Sequence, residues 1–250
     1  MSETSLPADI LTCYIVRHGE RIDHIDDTWT MTSLTPYDPP LTDDGWTQAQ
    51  HAGSTIRDYE ADTDPCTTEY IMLVSPFLRC LQTGEGIIRG FNSKTGAPRK
   101  WRVAVEPGLS EVINESYFGS AQNVPIGIVA ERQNELRERG SMVADNVVYD
   151  DGYQAVWEEL PEYPEDFQTM LARFGSVLQQ VASRYANSGK NVVVVLVTHG
   201  AGVAALRWAT TRKLEPANDV PYCALIRATT SSQTAPATIK WTVNNGTANL

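Results

Sequence analysis

Leu11-Thr12-Cys13-Tyr14-Ile15-Val16-Arg17-His18-Gly19-Glu20-Arg21 decides how the rest of the chain is read. Its first six residues have the composition of a strand buried on both faces. The charge that follows is concentrated at the strand's carboxyl end, where a histidine stands among arginines. A second stretch repeats the arrangement: Val192-Val193-Val194-Val195-Leu196-Val197-Thr198 ends at His199-Gly200. Open α/β sheets bind ligands at the carboxyl ends of their strands, so two strands that each deliver a histidine there define a site.

Outward from these anchors the pattern alternates strand and helix. A first strand covers about Thr12–Val16 and a long loop covers 20–41, ending in Asp38-Pro39-Pro40. Thr42 is the expected N-cap of a helix to Tyr59, with Asp43 and Asp44 suited to its positive end. Tyr70–Val74 is a second strand, and Ser75-Pro76 is expected to open a helix to Gly90. A third strand spans Arg102–Val105. Residues 113–151 read as irregular, with one short helix near Ile128–Glu138. The helix expected over Pro164–Ala186 carries Phe167, Leu171, Phe174, Leu178 and Val181 at helical spacing, which predicts core. After the strand Val192–Val197, a helix over Gly202–Lys213 and a terminal hairpin (222–229 and 237–243) complete the chain. The expected fold class is α/β: a three-layer α/β/α sandwich around a mostly parallel sheet. Residues 1–9 form a frayed start and 10–250 a single domain, with insertions at about 20–41 and 113–151.

Composition narrows the functional classes. Of 250 residues, 42% are hydrophobic and 20% charged, enough apolar material for a sizeable core. The net charge of −11 argues against nucleic-acid or anionic-membrane partners, which need a positive field. Cys13, Cys66, Cys80 and Cys223 show no CxxC spacing, so neither a zinc nor a redox site is signalled. No secretory signal or membrane span is legible, and the reading is a cytoplasmic protein with reduced thiols.

Strand-end geometry gathers Arg17, His18 and Arg21 from the first strand, Arg79 from an early helical turn, His199 from the central strand and Glu111 from beyond the third strand. A neutral imidazole is a competent nucleophile toward phosphorus. Guanidiniums match phosphoryl oxygens bidentately and stay charged. A carboxylic acid with a raised pKa can protonate the leaving oxygen and later activate water. His18, Glu111 and His199 are therefore the candidate catalytic residues and Arg17, Arg21 and Arg79 the candidate phosphate ligands, with no metal or other cofactor required. Glu106 and Glu115 compete with Glu111 for the acid's place. Arg21 has Glu20 and Asp23 as alternative partners. Cys80, beside Arg79, reads as a packing residue, because no glycine-rich phosphate loop surrounds it.

These motifs also carry a resemblance. Val16-Arg17-His18-Gly19-Glu20-Arg21, Pro40-Leu41-Thr42 with Gly45, Ser75-Pro76-Phe77-Leu78-Arg79-Cys80-Leu81-Gln82-Thr83 and Thr198-His199-Gly200 resemble, in order, the signatures of the histidine phosphatase superfamily, which includes phosphoglycerate mutases. Within it, Asp38-Pro39-Pro40-Leu41 and Val105-Glu106-Pro107-Gly108 are most similar to the phosphatase domains of the suppressor-of-T-cell-receptor-signalling proteins. The resemblance implies a phosphoglycerate mutase-like fold, a phosphorylated nucleophile at His18, a phosphate pocket of Arg17, Arg21, Arg79 and His199, and a proton donor at Glu111. It implies a metal-independent phosphomonoesterase acting on a phosphorylated small molecule or phosphoprotein. Trp29, Tyr37, Tyr117, Phe118 and Tyr149 would wall the pocket and suit phosphotyrosine or another aryl phosphate. A mutase and a catalytically inactive scaffolding domain are the alternatives, and the terminal hairpin offers an edge for a homodimer.

Overall fold

The structure, a computed structural model, describes residues 10–64, 66–94, 96–139, 146–186, 188–213, 216–231 and 242–246. The expected frayed start and the turn of the terminal hairpin lie outside these residues. In chain order the elements are β1 (Ile10–Arg17), α1 (Trp29–Thr32), α2 (Asp43–Tyr59), β2 (Thr68–Val74), α3 (Leu78–Ser93), β3 (Trp101–Val105), α4 (Glu115–Phe118), α5 (Ile128–Arg139), β4 (Val147–Tyr149), α6 (Phe167–Tyr185), β5 (Asn191–Thr198), α7 (Gly200–Thr211), β6 (Leu225–Ser231) and β7 (Thr242–Gly246). The strands form one sheet in the order β4-β3-β2-β5-β1-β6-β7. From β4 to β1 all pairings are parallel, and β6 and β7 add an antiparallel edge.

Strand alternation explains the three layers. Leu11, Cys13, Ile15, Ile71, Leu73, Val192, Val194 and Leu196 point to one face and meet α6 and α7. Tyr14, Val16, Tyr70, Met72, Val74, Val193, Val195 and Val197 point to the other and meet α2 and α3. Side chains of successive residues leave opposite faces of a strand, so an unbroken apolar run is what a doubly covered strand requires. The sandwich and its mostly parallel sheet are thus as the sequence implies.

Several local expectations are corrected. Helix α3 begins at Leu78 rather than at Ser75-Pro76, because Asp38, reaching in from the 20–41 segment, accepts the Leu78 N–H at 2.7 Å and supplies the cap. The 113–151 stretch contributes the short edge strand β4, whose three residues are too few to show a period. The 20–41 segment contains the single helical turn α1. Phe167 stands half exposed at the start of α6, whereas Leu171, Phe174, Leu178 and Val181 are core. None of the described helices is long and apolar enough to cross a membrane.

Candidate active site

The ends of β1 and β5 are tied together where the chain turns chemical. The His18 N–H bonds the Thr198 carbonyl at 2.9 Å, and the Gly19 N–H bonds Thr83 Oγ1 of α3 at 3.0 Å. Gly19 presses against the first turn of α2: a Cβ there would lie 2.5 Å from the Gly45 carbonyl oxygen, so only glycine allows the approach. His18 is buried, and its Nδ1 lies 2.8 Å from the Gly19 carbonyl. A carbonyl can only accept, so Nδ1 carries the hydrogen and Nε2 keeps its lone pair. Burial first, then the charges of Arg79 and His199, hold the His18 pKa well below its ordinary 6.5. The ring is neutral at pH 7.

His199 ends β5 and caps α7, with its ring centroid 5.3 Å from that of His18. Its Nε2 lies 2.9 Å from Ser75 Oγ, and its Nδ1 lies 3.3 Å from both Glu111 Oε2 and Arg79 Nη2. The carboxylate selects the tautomer with hydrogen on Nδ1, leaving Nε2 to accept from the serine. Burial pulls the His199 pKa down to about 4 against the upward pull of Glu111. Glu111 itself is buried. Burial raises its pKa, but His199, Arg79 3.8 Å away and the Val112 N–H outweigh it, and the carboxyl titrates at about 2. The expected raised pKa is therefore overturned for the protein alone: the carboxyl sits among donors and is ionised.

The three arginines converge on the same space. Arg79 is buried in the first turn of α3, stacked over Phe77 at 4.6 Å. Arg17 stacks over Tyr222 at 4.4 Å and donates to the Val220 carbonyl, and its charge is felt by His18. Arg21 donates to Asp23 Oδ2 at 3.0 Å, and its charge is felt by Arg17, Arg79 and His199. Four guanidinium nitrogens, Arg17 Nε, Arg21 Nε, Arg79 Nε and Arg79 Nη1, are buried without any hydrogen-bond partner among the described residues. A buried charged donor left unmade carries a heavy desolvation penalty. So many in one place, beside a helix N-terminus at Gly200, mark an anion site.

Against this geometry stand the comparisons. Residues 13–239 match the description "Histidine phosphatase superfamily (branch 1)". The chain belongs to that superfamily. No curated protein matches its sequence. Among solved structures it is similar to the ecdysone phosphate phosphatase of Bombix mori, with 22% identity, a TM-score of 0.63 and coverage of 93% of this chain and 91% of that one. It is also similar to a phosphoglycerate mutase of Bacillus anthracis, with 17% identity, a TM-score of 0.54 and 95% and 93% coverage. At these identities the likeness is one of fold.

In this histidine phosphatase superfamily chain the structure brings all six anticipated side chains to one place; Arg21 also takes the alternative partner Asp23, whereas the glutamates that competed with Glu111 stand apart. Glu106 accepts from Gly108 N, Tyr153 Oη, Val156 N and Trp157 N, so it knots loops together, and Glu115 is exposed on α4. Cys80 packs with Sγ 3.6 Å from His199 Nε2, and burial pushes its thiol up to about 12. His24 stands exposed at the rim between Arg21 and Tyr222. His51 is exposed on α2.

Three supports were not legible as site residues. Ser75, expected to open a helix, instead holds His199. Asp38 accepts from Arg132 Nη2 at 2.6 Å and lies 4.0 Å from Arg79 Nη1, while Arg132 Nε donates to the Pro76 carbonyl at 3.0 Å. Arg173 and Glu165 clamp the loop that carries Glu111. Arg173 Nη1 donates to the Gly108 and Ser110 carbonyls at 2.8 and 3.1 Å, and Glu165 Oε2 accepts from Ile113 N at 3.3 Å. An arginine on the apolar stripe of α6, three residues after Met170, is the signal that could have revealed the clamp.

Beside the pocket opens a cleft of about 460 Å³, lined by Tyr117, Phe167, Met170, Ala204 and others. Of the aromatic residues expected to wall the site, Tyr117 alone lines it. Phe118 and Tyr37 pack with Phe77, and Tyr149 lies on β4 under Arg137.

Proposed function

We propose that this protein hydrolyses phosphate monoesters through a phosphohistidine on His18, aryl phosphates among them. The observation that carries the reading is the neutral, buried His18, its Nδ1 engaged by the Gly19 carbonyl, set among buried guanidinium N–H groups that have no partner among the described residues. Preorganised donors of this kind are usually the largest catalytic term, because they stabilise developing charge without reorganising. Three guanidiniums supply the positive charge that a metal ion provides in other phosphatases.

In the first half-reaction, Nε2 bonds to phosphorus as the ester P–O bond breaks, and the leaving oxygen takes a proton from Glu111. In the second, Glu111 takes a proton from water, whose oxygen bonds to phosphorus as the P–N bond breaks. Inorganic phosphate leaves and His18 is neutral again. Glu111 must gain its first proton when the ester binds. The entering dianion engages Arg79 and repels the carboxylate, and both effects push its pKa up from about 2.

The mutase alternative needs a second anion site for a glycerate carboxylate. The described residues that line the adjoining cleft include no lysine or arginine. That favours water as the phosphoryl acceptor.

The test is trapping with ³²P-labelled phenyl phosphate and rapid denaturation. Wild type should carry label that is acid-labile and base-stable, and His18→Ala should carry none and lose turnover by at least about 10⁴-fold. Equal turnover in the two proteins would overturn the reading. Glu111→Gln should slow esters of poorly leaving alcohols by about 10²–10⁴-fold and nitrophenyl esters far less. Interconversion of 2- and 3-phosphoglycerate at a rate matching hydrolysis would instead favour the mutase.

A further inference from the structure

We infer that the cleft beside the phosphate pocket is the subsite for the alcohol part of the substrate, and that this part is an apolar group larger than a single ring. The inference rests on the proposed phosphate chemistry and adds the substrate class.

The cleft adjoins the pocket through residues next to the site in sequence or in space. Val112, which lines the cleft, follows Glu111 and donates its N–H to Glu111 Oε1 at 3.1 Å. Ala201 and Ala204 line it from the first turns of α7, just beyond His199. Tyr117 lines it too, and its hydroxyl feels the charges of Glu111, Arg17, Arg21 and Arg79. Gly200 lets the far wall close in: a Cβ there would lie 2.8 Å from the Ala217 carbonyl oxygen and 3.7 Å from Arg17 Cζ. A phosphoryl group held by the arginines therefore directs its ester oxygen toward Glu111 and the rest of the molecule along the cleft.

Size and chemistry define the occupant. An apolar cavity of about 150 Å³ already accepts benzene, and ligand pockets run from about 300 to 1,000 Å³. A cleft of about 460 Å³ is therefore too large for one ring. Phe167, Met170, Ala204 and Pro216 give it an apolar lining, and its carboxylate, Glu165, is fully paired with Arg173. The cleft thus repels a charged head and accepts a hydrocarbon surface. Among the described residues one polar atom of the cleft lining stands unanswered: Asn114 Oδ1 is buried without a partner. A hydroxyl or N–H on the occupant would satisfy it.

The test reads binding, so that it is independent of turnover. Affinities of phenyl-, 2-naphthyl- and biphenyl-4-ylphosphonate are measured by calorimetry on the wild-type protein. From the first to the last, Kd should fall at least tenfold. In Ala204→Leu, which fills the cleft, the three affinities should converge to within about threefold. Phe167→Ala, at the exposed mouth, should reduce the biphenyl-to-phenyl ratio at least threefold and keeps the test open if the leucine disturbs folding. A flat series in wild type, or a ratio unchanged in both variants, overturns the inference. Phosphohistidine trapping on phenyl phosphate judges the catalytic reading separately: labelled enzyme with a flat phosphonate series would sink the cleft alone.

Discussion

Arg79 and Arg173 are buried to nearly the same degree, with side chains 3% and 0% exposed, yet their surroundings differ in kind. Arg173 is answered on every nitrogen. Nε and Nη2 donate to the two oxygens of Glu165 at 2.7 Å, and Nη1 donates to Gly108 and Ser110. Among the described residues Arg79 Nε and Nη1 have no hydrogen-bond partner, Nη2 faces the N–H of His199 Nδ1, and the carboxylate neighbours, Glu111 and Asp38, stand off at 3.8 and 4.0 Å. A guanidinium whose charge is used up by the fold is a brace. A guanidinium held buried with N–H groups to spare is poised for something that arrives from outside, and the fold carries its desolvation penalty for that purpose.

The sharpest way to break this contrast is to remove each arginine in turn. Arg79→Ala should lower kcat/KM by about 10²–10³-fold, the loss seen when one preorganised donor is taken from an anion site. Its melting temperature should stay within about 3 °C of wild type, since the fold loses an incompletely paired buried charge. Arg173→Met should do the reverse. It strands the Glu165 carboxylate inside the protein, which costs about 3–5 kcal/mol and lowers the melting temperature by about 10 °C. Activity assays with calorimetry on both variants check the pair. A loss of stability in Arg79→Ala equal to that in Arg173→Met would erase the distinction.

Proton linkage gives a second contrast. His18 and His199 are neutral in the fold far below pH 6.5, the latter to about 4, whereas in the unfolded chain both take protons near 6.5. As pH falls below 6.5 the unfolded state therefore binds more protons, and stability falls by about 1.4 kcal/mol per pH unit for each histidine. Glu111 adds to the loss only below its ordinary 4.5, down to about 2. Urea unfolding at pH 7, 6 and 5 should show the decline, and His18→Ala should remove about half of its slope. An identical slope in the variant would mean that His18 takes up its proton at the same pH in the fold as in the unfolded chain. By the same logic the acid limb of kcat/KM should lie well below pH 6.5, because His18 keeps its lone pair there.

How much of this was legible depends on where each residue's role is encoded. His18, His199, Arg17 and Arg21 sit at or just beyond the ends of strands whose apolar composition fixes their place, so local sequence locates them. Arg79 and Glu111 could be placed by order along the chain. Ser75 could not be assigned its partner, because the turn it occupies is set by Asp38, 37 residues upstream, capping α3 in its stead. The Glu165–Arg173 clamp joins an irregular segment to a helix face, a pairing with no short-range pattern. The apolar cleft is assembled from four separated stretches, 112–117, 165–170, 201–204 and 216–217, each unremarkable alone. The low pKa of Glu111 is not legible in the sequence for a related reason. Burial could be anticipated from its position, but the competing approach of Arg79 and His199 depends on tertiary geometry.

The smallest expected effect tests how His199 is held. Ser75 Oγ lies 2.9 Å from His199 Nε2, while Cys80 Sγ lies 3.6 Å from the same atom. A neutral hydrogen bond contributes about 1 kcal/mol, so Ser75→Ala should lower kcat/KM about fivefold and leave KM for the ester nearly as it was. The loss stays small because the ring keeps its Nδ1 contact to Glu111 and because the thiol, a weak donor, can turn toward the vacated lone pair. That second point makes a distinct demand. Cys80→Ala alone should change the rate by less than about twofold, yet the double variant should lose more than the product of the two single losses, since nothing then donates to Nε2. Strict multiplication of the two effects would show that the thiol is mere packing and that Glu111 alone fixes the tautomer of His199.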